Sequence, residues 1–383
     1  MSLAKSAETY TPAFPRTPKQ LVREALTLLG PIAVVYLVVL LAVSVVGGAV
    51  AIQAEYMLVN LVLVVGLQVF IGNSGVLSFG HIAFAAVGGW VMGLATIDPV
   101  LKNALMGKIF PFLLDLQLNP FLAVFVASCL GGLMALIVGP VLMRMNGLQA
   151  GIASFALLLV TVEILRYWRQ IGPPTGQAMT GIPNAFDAQT LLWLALSAIV
   201  LNWVYQRTTT ARLLRASRES LTAAPASGIH VSVHRLIAFV ISGAICGMGG
   251  ALFAETNGSM QSSSLSVQTT FTIVAMLVLG GTLSLWGAVV GTLVYTVIDS
   301  VLIAFQSGVQ VANVIITVPE GARLILLGAV LISVLLFRPE GITRGHEFAS
   351  KWRILQPPSE QLTVEDAEEP VETEQSEAVE TTS

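Results

Sequence analysis

Of 383 residues, 55% are hydrophobic and only 11% are charged, and the mean hydropathy of +0.81 excludes a soluble globular domain. The formal net charge of −3 conceals an asymmetry, because nine acidic side chains crowd the stretch from Glu360 to Glu380 and the chain without them carries +6. Cys129 and Cys246 both fall inside apolar runs, so they imply no disulfide framework, and neither has metal-ligand neighbours.

In chain order, residues 1–30 hold Lys5, Arg16, Lys19 and Arg23 without an apolar run and read as a cytoplasmic segment. The run from Pro31 to Ile52 exceeds the roughly 20 apolar residues that cross a hydrocarbon core about 30 Å thick. It also exceeds the roughly 7–15 residues of a signal-peptide core, so it is read as a retained span. Further segments follow at 56–71, 76–96, 119–142, 148–170, 189–206, 235–256, 269–281, 284–306 and 322–337. None alternates as barrel strands do. The expected fold is an all-α polytopic transmembrane bundle of about 8–10 spans within residues 31–345. Segments 56–71, 269–281 and 322–337 are short enough to be re-entrant, or else longer than drawn. Residues 346–383 read as a cytoplasmic, disordered acidic tail.

Lysine and arginine accumulate on the cytoplasmic side of membrane proteins. With the N-terminus inside and ten crossings, 14 of the 19 basic residues lie inside, both termini are cytoplasmic, and Lys102, Lys108, Arg166 and Arg169 lie outside. Small residues one turn apart, Gly89/Gly93, Gly147/Gly151, Gly243/Gly247 and Gly287/Gly291, predict close helix packing.

Catalytic patterns are missing: no phosphate-cradling glycine-lysine loop, no zinc-binding histidine helix and no nucleophile elbow occur. The stretch NSGVLSFGHIAFAAVGG, Asn73 to Gly89, interrupts an apolar region with Gly75 and Gly80 and with Asn73, Ser74, Ser78 and His81. Non-helical backbone at membrane depth survives only where protein or water satisfies its amides. The stretch therefore belongs to a translocation path or forms a tight interhelical turn with a hydrogen-bonded His81. Gly281-Thr-Leu-Ser-Leu partly repeats Gly75-Val-Leu-Ser-Phe, which a repeat of the fold would explain. Among ionisable residues near spans, Glu163 precedes Arg166 by three positions, fitting either a path residue or a structural ion pair.

Loop 207–235 carries five arginines, one Glu and two His, with no run long enough to cross. Arg212 to Ala224 favours helix, with Leu213, Leu214, Ala216, Ser217, Leu221 and Ala224 on an imperfect small-apolar face. Pro225 forces an end or restart, and Gly228 suits a left-handed cap. Two short helices lying across the membrane face are expected, and as a positively charged topology determinant they would rest on anionic lipid.

RASRE (Arg215, Ala216, Ser217, Arg218, Glu219) followed by Ala223-Ala224-x-x-x-Gly228-Ile229 resembles the "EAA" coupling loop of ABC-importer permeases, with Thr222 where that loop has Glu. NLVLVVGLQVFIGNSGVLSFGHIAFAAVGGW, VEILRYWRQ, LIAFVISGAICGMGGALFA, LGGTLSLWGAVVGTLV and LLFRPEGITRG, in that order between Asn60 and Gly345, resemble the M-type permease of branched-chain amino-acid ABC importers. Urea, amide and carboxylate importers belong to the same wider family. The resemblance implies a bacterial inner-membrane permease subunit importing a branched-chain amino acid or related small polar solute. Its partners would be a second permease, two ATP-binding subunits, an external solute-binding protein and membrane lipid, with no nucleic acid. No cofactor would be bound by this chain, and ATP and Mg would sit on the ATPases. Arg215, Ala216, Arg218, Glu219, Ala223, Ala224, Gly228 and Ile229 would engage those ATPases. Asn60, Gln68, Asn73, Ser78, His81 and Glu163 are the expected path lining. The competing expectation is a stand-alone secondary transporter or channel for a small polar solute.

Overall fold

The structure, a computed structural model, describes residues 18–42, 48–145, 147–219, 223–306, 309–311, 314–316, 320–338, 340–344 and 347. Lys5, Arg16, Leu221, Thr222 and the acidic stretch 360–380 lie outside the described residues.

The described chain is helical: α1 (Pro18–Leu41), α2 (Gly48–Ser74), α3 (His81–Thr96), α4 (Pro99–Leu105), α5 (Pro111–Leu114), α6 (Pro120–Leu142) and α7 (Gly147–Tyr167). They are followed by α8 (Ala188–Arg207), α9 (Thr209–Glu219), α10 (Ala223–Ala226), α11 (Val231–Asn257), α12 (Val267–Gly280), α13 (Leu285–Gln306) and α14 (Glu320–Phe337). Two antiparallel pairs complete it: β1 (Met179–Thr180) with β2 (Ser259–Met260), and β3 (Val309–Val311) with β4 (Val314–Ile316). Helix starts follow local chemistry. Asp98 and Asn119 each precede a proline at the first helical position, and their side chains accept the Val100 and Phe121 N–H at 2.8 and 3.0 Å.

Among the described residues six helices, α2, α6, α7, α8, α11 and α13, are long and apolar enough to cross a membrane, and α3 with α4, bent by 118°, would make a seventh. Shorter apolar helices span Leu26–Leu41, Val267–Gly280 and Ile325–Val334. The expected 8–10 spans thus resolve into six full-length helices plus shorter pieces, because the breaks around residues 75–80 and 281–284 cut α3 and α12 short. The expected span 31–52 lies partly outside the described residues, which omit 43–47. On either side of them, α1 ends at Leu41 and α2 begins at Gly48. Segment 56–71, short in the sequence, belongs to the 27-residue α2. That helix is apolar all round because α8, α11, α12 and α13 surround it.

α11 is the central post, packed on α2, α3 and α6. A Cβ on Gly250 would strike the Ala85 carbonyl, one on Gly88 the Gly247 carbonyl, and one on Gly131 the Gly243 oxygen at 2.6 Å. Backbones therefore meet directly where lipid supplies no hydrophobic drive. The predicted pairs Gly243/Gly247 and Gly287/Gly291 mediate such contacts. Gly147, with nothing within 4 Å, does not, and Gly93 meets Met179 and Ile182 instead of a helix.

Candidate functional site

Helix α9 starts where Thr208 accepts the Ala211 N–H on its hydroxyl (3.3 Å). Ala211, Leu214 and Ser217 are buried, Arg215 and Arg218 are half-buried and Arg212 and Ala216 are exposed, so a narrow stripe of small and apolar residues seats the helix and only Arg212 of its arginines stays outward. Three arginines are occupied at the end of α8. Arg207 donates to the Trp203 carbonyl (3.1 Å) with its guanidinium 3.3 Å from the Trp203 ring centroid, Arg212 donates to Arg207 (3.0 Å) and Arg215 to Gln206 (2.7 Å). Arg212 and Arg215 thereby satisfy two orphan carbonyls of the last turn of α8, the negative end of its dipole.

α10 closes in a Schellman arrangement: Ile229 N–H donates to the Ala224 carbonyl (3.1 Å) and Gly228 N–H to that of Pro225 (2.9 Å), with Gly228 at φ +78°. Pro225 sits within the first turn of α10, where its missing N–H has no intrahelical partner to lose. The two short helices expected from the sequence are thus present. Ala224 is buried, Gly228 is exposed, Ile229 is half-buried, and Glu219 and Ala223 are the terminal residues of α9 and α10.

Arg218 reaches further. Its Nη1 donates to the Gly72 carbonyl at 2.9 Å, and its aliphatic stem lies over Gly75, where a Cβ would come within 2.5 Å of Arg218 Cδ. Gly75 takes φ +69° and returns its N–H to Ile71 (2.9 Å), ending α2 in a left-handed cap. The basic helix therefore holds the end of α2 at the start of the 75–80 break.

A second break, at residues 281–284, lies beside the first: a Cβ on Gly72 would meet the Thr282 carbonyl at 2.7 Å. The segment after α14 clamps it. Ile342 and Thr343 N–H groups donate to Leu279 and Gly280 (3.0 Å each), satisfying the end of α12. Ser284 Oγ accepts the Gly287 N–H (2.9 Å), and the Glu347 carboxylate accepts those of Leu285 (2.8 Å) and Trp286 (3.2 Å). All three N–H groups of the first turn of α13 are so satisfied. Burial pushes the Glu347 carboxyl above the usual carboxylate range, while those N–H bonds and the nearby Arg215 and Arg207 pull it back. Burial likewise lowers the Arg215 pKa, opposed by Glu347.

Of the expected path residues, Gln68, Asn73, Ser78 and His81 are buried at or near the first break, and Asn60 is half-buried on α2. Gln68 accepts hydrogen bonds from Asn202 (2.7 Å) and Gln206 (3.3 Å), and Asn73 donates to Val69 within its own helix. His81 lies among the rings of Phe70, Phe84 and Phe239, with centroids 5.1–5.9 Å away. Neither of its ring nitrogens has a hydrogen-bond partner among the described residues, contrary to the expected hydrogen-bonded turn. Glu163 stands apart. It is exposed on α7 and pairs with Arg166 at 3.6 Å, beside Leu159, Val160, Ile164, Tyr167 and Trp168.

Sequence reasoning misses Glu347, Asn202 and Gln206. Glu347 falls in what reads as the acidic tail, although the turn-forming glycines just before it, in RPEGITRG, hint at a packed segment. The described residues contain no group of three or more potential metal ligands.

A family profile described as "Branched-chain amino acid transport system / permease component" matches residues 50–335. Among curated proteins, the autoinducer 2 import system permease protein LsrC of Yersinia pseudotuberculosis serotype O:1b (strain IP 31758) is 26% identical over 228 residues. That of Yersinia pestis (strain Pestoides F) is equally similar, 26% over 228 residues. Each match covers 55% of this chain and 61% of the relative, so the chain spans about three-fifths of the relatives' length. No solved structure matches.

Proposed function

The chain belongs to the family of branched-chain amino acid transport system permease components, and we propose that it is the membrane-spanning subunit of an ATP-driven importer. It would form half of a translocation pathway together with a second permease. Two ATPase subunits would dock on α9 and α10, and an external binding protein would deliver the solute. ATP hydrolysis belongs to those ATPases and not to this chain. The end of the bundle that carries α9 would face the cytoplasm, in keeping with the excess of lysine and arginine in its segments, and would place both termini inside.

One observation carries this reading: the bond from Arg218 to the Gly72 carbonyl, with the arginine stem across Gly75. An amphipathic surface helix that served only as a topology determinant would need no contact with an interior break. Here α9 touches the end of α2 through a single side chain with no loop between them, and rocking of helices about such a break would alternate access. The solute would be a small polar molecule. The family description points to branched-chain amino acids, and the Yersinia relatives are named for autoinducer 2, so selection would rest with the binding protein.

Reconstitution of this chain with its partner permease and ATPases in proteoliposomes tests the proposal. ATP-dependent uptake stimulated by the loaded binding protein is expected. Uptake by this chain alone without ATP would overturn it in favour of a stand-alone transporter. A panel of binding proteins titrated with branched-chain amino acids, amides and autoinducer 2 would then name the solute.

A further inference from the structure

We propose that the Phe79 ring, wedged between Phe155 of α7 and Phe271 of α12, is an apolar gate of the translocation path, carried on the break that Arg218 holds. The proposal rests on the importer reading and names a part of this chain that opens and closes.

Phe79 lies in the six residues between α2 and α3, and its ring centroid is 6.5 Å from that of Phe155 and 5.9 Å from that of Phe271. Three separate elements thus meet on one side chain. The rings of Phe70, Phe84, His81 and Phe239 are sealed inside α2, α3 and α11. Around Phe79, by contrast, Leu77 is 50% and Phe271 54% exposed, and Phe79 and Phe155 are only half-buried. Core packing would have closed over them.

What that open side faces follows from the backbone. Residues 75–80 are not helical, and irregular backbone at membrane depth cannot face lipid, only protein or a water-filled cavity. Depth can be read along two helices: Phe155 is eight residues from the start of α7 and Phe271 nine from the end of α12, about 12 and 13.5 Å at 1.5 Å per residue. Both helix ends lie on the α9 side. Met145, just before α7, accepts Arg235 near the start of α11 (3.5 Å), and Thr282, just after α12, lies against Gly72, whose carbonyl Arg218 takes. A path shared with a second permease supplies both the protein and the water that the break requires. Apolar rings narrowing such a path exclude water and polar solutes by dewetting.

The ring is also easily withdrawn. Phe79 N–H donates to Ser154 Oγ at 3.1 Å, and that hydroxyl donates to the Gly151 carbonyl (2.8 Å), so a side-chain bond and not a helical ladder pins this residue to α7. Four positions earlier the Arg218 stem lies across Gly75. Displacement of α9 would drag the break and slide Phe79 from between α7 and α12 without unwinding a helix.

The test uses the full importer in proteoliposomes, with Phe79→Cys and Phe271→Cys in a Cys129→Ala background that removes the exposed native thiol. A short bis-methanethiosulfonate should cross-link the pair in one of two states, nucleotide-free or trapped with ATP and vanadate, and the cross-link should be lost in the other. Equal cross-linking in both states, or none in either, would overturn the gate. Without ATP, Phe79→Ala should speed the entry of urea by roughly ten-fold, which corresponds to about 1.4 kcal/mol of lost barrier. Phe79→Leu restores an apolar plug and should recover most of the seal. A ring that only packs would lower the melting temperature on truncation and leave urea excluded; that outcome in a complex with stimulated ATP hydrolysis sinks the gate alone. A chain that assembles with no ATPase would sink the importer reading and the gate with it.

Discussion

The two breaks share the pattern Gly-x-Leu-Ser, at Gly75–Ser78 and Gly281–Ser284, yet they are built differently. The second is four residues long, so Ser284 falls at the helix start and caps Gly287. The first is six residues long, so Gly80 takes the cap position and Ser78 is left buried with no hydrogen-bond partner among the described residues. Each break is held by a charge from a distant segment, a cation for the end of α2 and an anion for the start of α13. The difference teaches that an equivalent residue does equivalent work only when the helix register around it agrees. Two more residues of break remove the serine from the only place where its hydroxyl is useful.

The comparison breaks most sharply at Gly341. A Cβ there would come within 2.6 Å of the Gly281 N and Cα atoms, and its φ is +78°. Backbone cannot swing aside, so Gly341→Ala should cost on the order of 2–4 kcal/mol from left-handed strain plus overpacking. Loss of membrane-integrated, monodisperse protein and a lowered melting temperature would show it. Next comes Arg218→Ala, which strips the bond to Gly72 and leaves a carbonyl at the end of α2 unsatisfied. About 1.5–3 kcal/mol is expected for a charge-assisted bond, read as a drop in solute-stimulated ATP hydrolysis with insertion intact. Normal stimulation would show that the first break needs no hold from α9.

Gly75→Ala sharpens the contrast. Its neighbour is the Arg218 stem, a flexible side chain that can shift, so the cost should fall to the roughly 1–2 kcal/mol of left-handed strain. A fall in stability equal to that of Gly341→Ala would mean that Arg218 is as rigidly held as backbone. The smallest effect on the chain itself belongs to Gly228, which has positive φ but nothing within 4 Å of the place a Cβ would take. A bulky residue there meets no clash, so it should cost no more than the roughly 1–2 kcal/mol of left-handed strain while abolishing stimulated hydrolysis, because only a docked partner would meet it. Full stimulation would remove α10 from the partner interface.

Much of the fold is legible because the relevant signals are local. Apolar runs mark α2, α6, α7, α8, α11 and α13, though not α1 from Pro18, Pro225 and Gly228 mark the two short helices, and Gly243/Gly247 and Gly287/Gly291 mark real backbone contacts. The site is legible only in part. The arginines of loop 207–235 draw attention by composition, but their occupations do not: three serve the end of α8, and Arg218 reaches α2 across 146 residues of sequence. Glu347 looks like the first acid of a solvated tail, and nothing in its immediate neighbours distinguishes it from one. Glu163 pairs with Arg166 on an exposed face of α7, the structural ion pair that their spacing allowed beside a path role.

Run length, hydropathy and punctuation by glycine and proline settle by themselves that this is a helical membrane protein with a basic internal loop, since each depends on residues within a few turns. That Arg218 caps the end of α2, and that the Glu347 carboxylate covers the start of α13, was decided by the tertiary structure alone. These contacts join residues 61 to 146 positions apart, and the free energy that selects them lies in unsatisfied backbone groups that do not exist until the helices have formed and met.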